Sequence, residues 1–317
     1  MVKSVGGSFK KPPTTNLLPP TSILPKFAPM KIASALLYYL FMLPLSQLPF
    51  GVLHLISSFV YVVLYHLVGY RKEVVRENIR RSFPEKTEEE RRAITKKFYR
   101  HLCDVFVESL KIFTISKKNL AKHITCSNPE VLNRYYEQGK NVIIAVGHYN
   151  SWELMLTGFD TFIKHKAVII YQPLRNTFFD KKLREARSER GTLMIPAQTV
   201  KQFFSAPSNE LYATVFAIDQ SPPNPEKSYW LNFLHQDTPV LYGTEKYAKD
   251  FNLPVVYARL NKIKRGYYQL EFVDVVSNSS ETAYGEITEK VTKLLENDII
   301  AKPEFWLWSH KRWKHKR

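Results

Sequence analysis

Asn141-Val142-Ile143-Ile144-Ala145-Val146-Gly147-His148-Tyr149-Asn150-Ser151-Trp152-Glu153 is the stretch whose reading decides the fold. Val142 to Val146 is a short, unbroken apolar run rich in β-branched side chains, the pattern of a strand buried on both faces. Gly147 ends the run and presents His148 at its carboxyl end, where open α/β sheets hold their ligands. Glu153 falls in the first turn of a predicted helix that continues Leu154-Met155-Leu156. A histidine on the loop and a carboxylate on the next helix can meet, because the turn folds the chain back. Glu153 would then hold the imidazole in one tautomer and stabilise its protonated form, which makes His148 a candidate general base for a hydroxyl. Plainer roles fit the same letters. Asn150-x-x-Glu153 matches a capping box, and His148 matches a satisfied buried histidine.

On both sides of this stretch, short apolar runs alternate with helical patterns. Strands are predicted at 142–146, 167–171, 211–218, 229–234, 254–259 and 267–275, and helices at 152–163, 178–190, 197–204, 243–251 and 281–299. Such alternation implies an α/β fold, a mixed, mostly parallel sheet flanked by helices. Before it, Thr87-x-x-Glu90 reads as a capping box. Ile94, Phe98, Leu102, Val105, Phe106, Leu110 and Phe113 follow at helical spacing, giving a long amphipathic helix.

The N-terminal part reads differently. Residues 1–30 are rich in Pro, Ser, Thr and Lys and read as a disordered leader, with Met30 as a candidate alternative start. Residues 31–70 read as a membrane anchor, because Ile32 to Tyr70 contains no Asp, Glu, Lys or Arg. One straight helix of that length would run roughly 58 Å, about twice a bilayer's hydrocarbon core. The anchor is therefore bent, and Pro44, Pro49 and Gly51 mark the division. Gly51 to Gly69 is the better spanning segment, with Ala33 to Leu43 interfacial or the first arm of a hairpin. Arg71, Lys72, Arg76, Arg80 and Arg81 follow at once, which places residues 71–317 on the cytoplasmic side by the positive-inside rule. Lys26 and Lys31 on the other flank favour a hairpin, so span and hairpin both stay open.

At 317 residues the chain suits one large domain with an appendage. Its net charge of +17 points to anionic partners: nucleic acid, an anionic membrane surface or an acidic carrier protein. The aromatics, 14% of residues, cluster in apolar segments instead of alternating with basic ones, which favours membrane and core over nucleic acid. Cys103 and Cys126 form no C-x-x-C pair or metal spacing, so neither a disulfide framework nor a metal is expected.

Four further blocks carry chemistry. Tyr171-Gln172-Pro173 and Asn176 precede a helix bearing Arg184, Arg187 and Arg190, three residues apart. Ala217-Ile218-Asp219-Gln220 sets a carboxylate at a strand end. Tyr242-Gly243-Thr244 opens a helix whose first N–H groups suit an anion. Pro303-Glu304-Phe305-Trp306-Leu307-Trp308-Ser309-His310-Lys311-Arg312-Trp313-Lys314 reads as an aromatic and basic C-terminal helix.

In this order and spacing the chain resembles the late acyltransferases of lipid A biosynthesis, within the lysophospholipid acyltransferase superfamily. The likeness runs from about residue 30 to the C-terminus. It implies His148 and Glu153 as a catalytic dyad, Arg187 and Asp219 as functional partners, and Arg184 and Arg190 as supporting basic residues. It also implies a glycerol-phosphate acyltransferase-like fold, acyl carrier protein as thioester donor, an anionic phosphoglycolipid acceptor, no cofactor, and the inner membrane of a Gram-negative bacterium. The chemistry is direct transfer, with His148 removing the proton of the attacking hydroxyl. Ser151 as a nucleophile lacks the Gly-x-Ser-x-Gly surroundings. A lysophospholipid or amino-lipid acceptor is the alternative within the chemistry, and a membrane-tethered, non-catalytic binding protein the alternative outside it. The terminal Lys311, Arg312, Lys314, Lys316 and Arg317 suit anionic headgroups.

Overall fold

The computed structural model describes residues 28–317. The leader lies outside the described residues up to position 27, and its last three residues already belong to the first helix. Helix α1 (Ala28–Leu37) widens into a π turn (Tyr38–Met42) and continues as α2 (Leu43–Gln47). Pro44 is accommodated at the start of α2, where its missing N–H costs nothing. The chain then breaks at Leu48 and Pro49, both with ψ near 150°. Helix α3 (Phe50–Val62) starts there and runs on as a second π segment to Val68. Gly69, with φ +65°, ends it.

After α4 (Lys72–Ser82) comes the long α5 (Glu88–Ser109), capped by Thr87 and Glu90 as the spacing predicts. The chain then runs α6 (Lys117–His123), β1 (Ile124–Cys126), α7 (Glu130–Glu137), β2 (Val142–Val146), α8 (Trp152–Phe162), β3 (Lys166–Tyr171), α9 (Thr177–Ser188) and β4 (Leu193–Pro196). It continues through α10 (Val200–Ser205), β5 (Tyr212–Ala217), β6 (Tyr229–Phe233), β7 (Gln236–Val240), α11 (Gly243–Asp250), β8 (Val255–Lys264), β9 (Tyr267–Val276) and α12 (Glu286–Ala301).

Seven strands form one sheet in the order β1-β9-β8-β2-β5-β3-β4. β8, β2, β5, β3 and β4 are parallel, whereas the long β8–β9 hairpin is antiparallel and carries β1 on its far side. β6 and β7 make a separate hairpin. β2 lies at the centre and is buried at every residue. Its alternation divides two cores: Val142, Ile144 and Val146 pack with Leu154 and Phe159 of α8, while Ile143 and Ala145 pack with Ile287, Val291 and Leu295 of α12. A strand covered on both faces by helices is what the unbroken apolar run required.

Several elements differ from the sequence reading. β1, β4 and β7 and the helices α4, α6 and α7 are not among the predicted elements. α12 begins at Glu286 instead of 281, because Gly285 sits at φ +88° immediately before it. The C-terminal block is not a helix. After one 3₁₀ turn at Pro303–Phe305 it runs irregularly, with Trp306 and Trp308 fully buried. Trp306 forms an antiparallel bridge with Tyr149, and a tight turn follows in which the Trp308 N–H donates to the Trp306 carbonyl at 2.9 Å. α4 holds the block from behind: Asn78 donates to the carbonyls of Trp308 and His310, and Arg71 to that of Ser309.

The two apolar arms dock separately. The first sits over α9, where Tyr38 packs edge-on to Phe113 and Phe178, and Asn176 donates to Ser34. The second runs along α5. Among the described residues, Phe50–Val68 is the one helical run long and apolar enough to cross a membrane by length and composition. Its inner face is nevertheless polar: His54 bonds Glu108 at 2.9 Å and Ser57 donates to Asp104 at 2.6 Å. Its outer face leaves Leu55, Phe59, Leu67 and Val68 exposed.

At Gly147 strand and helix approach closely, since an added Cβ would stand 2.6 Å from Leu295 Cδ1. Gly147→Ala should destabilise the fold by about 1–3 kcal/mol. Thermal unfolding in detergent should also show the double variant with Leu295→Ala less destabilised than the sum of the two single ones.

Candidate active site

Three pieces of chain converge at the carboxyl ends of β2 and β5. β2 delivers His148 through Gly147. β5 delivers Asp219, two residues beyond its end. The C-terminal segment delivers Trp306. Asp219 Oδ1 accepts from His148 Nδ1 at 2.7 Å, and Oδ2 accepts both the His148 backbone N–H and Trp306 Nε1, each at 2.8 Å. Holding the ring and the backbone of one residue at once, the carboxylate fixes the imidazole's position and its tautomer. With the proton on Nδ1, the Nε2 lone pair is the free one, and it accepts from the Gln220 side-chain amide at 3.1 Å.

Asp219 is 5% exposed and Arg312, from the same C-terminal segment, is 1% exposed. Burial by itself would raise the Asp219 carboxyl. The imidazolium charge beside it and the hydrogen bonds from His148 and Trp306 outweigh this and hold it at about 2. For His148, burial disfavours the charged form, but Asp219 foremost and Glu153 after it carry the pKa above the ordinary histidine value. Burial lowers the Arg312 guanidinium to about 10 against the pull of Asp219.

The sequence reading had assigned the orienting role to Glu153. In the structure Asp219 occupies Nδ1, and Glu153 instead accepts from Arg187 of α9. Chain geometry explains the exchange. Asn150 takes a left-handed conformation, φ +56°, and its amide donates to the Leu260 carbonyl at 2.6 Å. It therefore cannot cap α8, and Ser151 stands at the N-cap without a side-chain cap bond. The capping-box reading fails here, and Glu153 is left turned toward the arginine helix. Ser151 is fully buried and does not line the cavity over His148, so it is not placed as a nucleophile.

A cavity of about 550 Å³ opens over His148. Leu156, Ile169, Met194, Val200 and Val215 give it an apolar interior, and Glu153, Arg184 and Arg187 bring charge to it. The first turn of α11, Gly243 and Thr244, also lines it, as the helix-opening block suggested. Of the three arginines, Arg187 is nearly buried in its pair with Glu153, and Arg184 is half exposed and held by Asp180 at 3.1 Å. Arg190 does not reach the cavity: it donates to the carbonyls of Ile112 and Ile115. α9 ends at Ser188 and Arg190 lies past the C-cap Glu189, in the turn, so it does not share the face of Arg184 and Arg187. Asn176 caps α9, accepting from the N–H groups of Phe178 and Phe179.

Such a cavity, with a carboxylate-held histidine at an apolar pocket beside cations, suits a hydroxyl attacking an activated fatty acyl group. The family model for bacterial lipid A biosynthesis acyltransferases matches residues 21–315. This chain belongs to that family, and it is an acyltransferase. Among its relatives, the lipid A biosynthesis palmitoleoyltransferase of Escherichia coli K12 is 22% identical over 269 residues, covering 84% of this chain and 87% of that protein. A lipid A biosynthesis acyltransferase of Haemophilus influenzae is likewise 22% identical, over 272 residues, 84% of this chain and 83% of its own.

Trp306, Gln220 and Arg312 went unassigned to the site from sequence. Arg312 had been placed among headgroup-binding cations, which its burial rules out. For Trp306 and Arg312 the signal was the terminal block itself, dense in tryptophan, and for Gln220 its place beside Asp219 at the strand end. Asp219→Asn should lower the His148 pKa below that of free histidine, because burial then outweighs the remaining pull of Glu153. Glu153→Gln should lower it less. The pH dependence of histidine modification by diethyl pyrocarbonate would separate the two.

Proposed function

We propose that this protein moves a fatty acyl chain from an acyl-carrier-protein thioester to a hydroxyl of a lipid A precursor at the inner membrane of a Gram-negative bacterium. In this reading the catalytic domain faces the cytoplasm, and residues 31–70 are its membrane anchor. The observation that carries the chemistry is the His148 Nε2 lone pair held at an apolar cavity by Asp219.

The steps balance without a cofactor. The acceptor hydroxyl gives its proton to Nε2 as its oxygen bonds to the thioester carbonyl carbon, and the imidazolium formed is stabilised by Asp219. Collapse of the tetrahedral species breaks the C–S bond, and the imidazolium returns the proton to the departing thiolate. Glu153 acts on this centre at longer range and keeps Arg187 at the cavity wall. Arg187 and Arg184 offer guanidinium groups to acceptor phosphates, which they match in bidentate fashion. The net positive charge favours encounter with an acidic carrier protein.

Purified wild type, given acyl-carrier-protein thioester and under-acylated lipid A, should add one acyl chain, read by product mass. His148→Ala should lose about 100- to 10,000-fold in rate. Activity that persists in it would overturn the general-base reading, whereas transfer to a lysophospholipid alone would overturn the acceptor.

The base must be neutral to work, and Asp219 raises its pKa. The wild-type rate should therefore rise with pH through a midpoint above 6.5, and in Asp219→Asn that limb should move to lower pH with a much reduced plateau. Arg184→Ala should raise KM for the phosphorylated acceptor roughly tenfold or more, with kcat nearly kept.

A further inference from the structure

A second cavity, of about 570 Å³, lies on the opposite side of the domain's N-terminal helices, between α3, α5 and the tip of the β8–β9 hairpin. Ser57, Ser58, Tyr61 and Val62 line it from α3, Arg100 and Asp104 from α5, and Lys262 and Arg265 from the hairpin. Its charges do not cancel. Asp104 is shared by Arg265, at 2.6 Å, and Lys262, at 3.7 Å. Arg100 pairs with no carboxylate among the described residues and rests against the Tyr61 ring, 5.2 Å from its centroid. Three cations against one carboxylate leave a groove that selects an anion.

The rim is apolar. Val62 belongs both to the groove and to the exposed face of α3, which continues through Phe59 and Leu55. Phe106 of α5 and Ile263 at the hairpin tip are also exposed, the latter between Lys262 and Lys264. Arg265 further donates to the His54 carbonyl and to Ser58, so the basic hairpin is fastened to the middle of the apolar helix. A membrane-normal α3 would carry Asp104 and Arg265 into hydrocarbon, where charge is strongly disfavoured. A helix lying along the interface, with its outer face in lipid, keeps those charges at headgroup level.

We propose that this groove binds the phosphate of an anionic glycerophospholipid, whose acyl chains lie along the exposed face of α3. Arg100 is the free guanidinium that takes the phosphate, and Lys262 and Arg265 supply the surrounding field. This site is separate from the acyl-transfer cavity and independent of the acyl-transfer reading.

The test is vesicle flotation of the full chain, moved from detergent onto phosphatidylcholine vesicles or onto mixed phosphatidylcholine–phosphatidylglycerol vesicles. Each basic residue near an anionic surface is worth about fivefold in partition. Arg100→Gln should cut the preference for phosphatidylglycerol about fivefold and leave binding to phosphatidylcholine unchanged. Lys201→Gln, which removes the same charge on α10 at the opposite edge of the sheet, should change the preference less than twofold. Equal losses in both variants would show attraction by net charge alone and overturn the site. Loss of the preference on adding millimolar inorganic phosphate at constant ionic strength would replace the lipid with free phosphate as the ligand.

Discussion

The carboxylate of Asp219, buried at the junction of β2, β5 and the C-terminal segment, is the constraint on which the site depends. A charge in that position is costly unless its lone pairs are taken. His148 supplies two donors and Trp306 a third, so the carboxylate is satisfied only when the three pieces of chain are assembled. The Asp219 carboxylate thus joins folding to chemistry. The hydrogen bonds that make its burial tolerable also set the imidazole's tautomer and leave Nε2 facing the cavity.

The same demand explains the unusual C-terminus. A tail rich in tryptophan and arginine is normally read as a surface patch. Here Trp306 and Trp308 fill the space behind the His148 loop, Arg312 lies within the field of Asp219, and the His310 ring accepts the Ser221 N–H at 2.9 Å just past the carboxylate. α4 in turn ties this segment to the apolar arms through Asn78 and Arg71. A continuous chain of contacts therefore runs from the apolar arms to His148.

A second buried carboxylate pair repeats the logic at α3. Asp104 and Glu108 of α5 are satisfied by Ser57 and His54 from the apolar helix and by Tyr268 and Arg265 from the β8–β9 hairpin. The apolar helix is thereby a two-faced element, polar toward the domain and apolar outward. Hydropathy alone averages the two faces into a spanning signal.

The sequence by itself determined the α/β class, the central strand at 142–146, the capped long helix from Thr87 and the position of His148 at a strand end. Each follows from local rules: period, β-branching, capping residues and glycine. The membership of Arg187, Asp219 and Glu153 in one site was also legible, because resemblance carries order along the chain. Tertiary structure alone decided which carboxylate serves the histidine. Glu153 is five residues from His148 and Asp219 is seventy-one, but the left-handed Asn150 turns the near carboxylate toward Arg187, while parallel pairing of β2 with β5 brings the distant one to Nδ1. It also decided that Arg190 and Arg312 face inward to other tasks and that the terminal block folds as successive turns instead of a helix. Direction of a side chain and neighbours across a sheet are set by packing, and no local period encodes them.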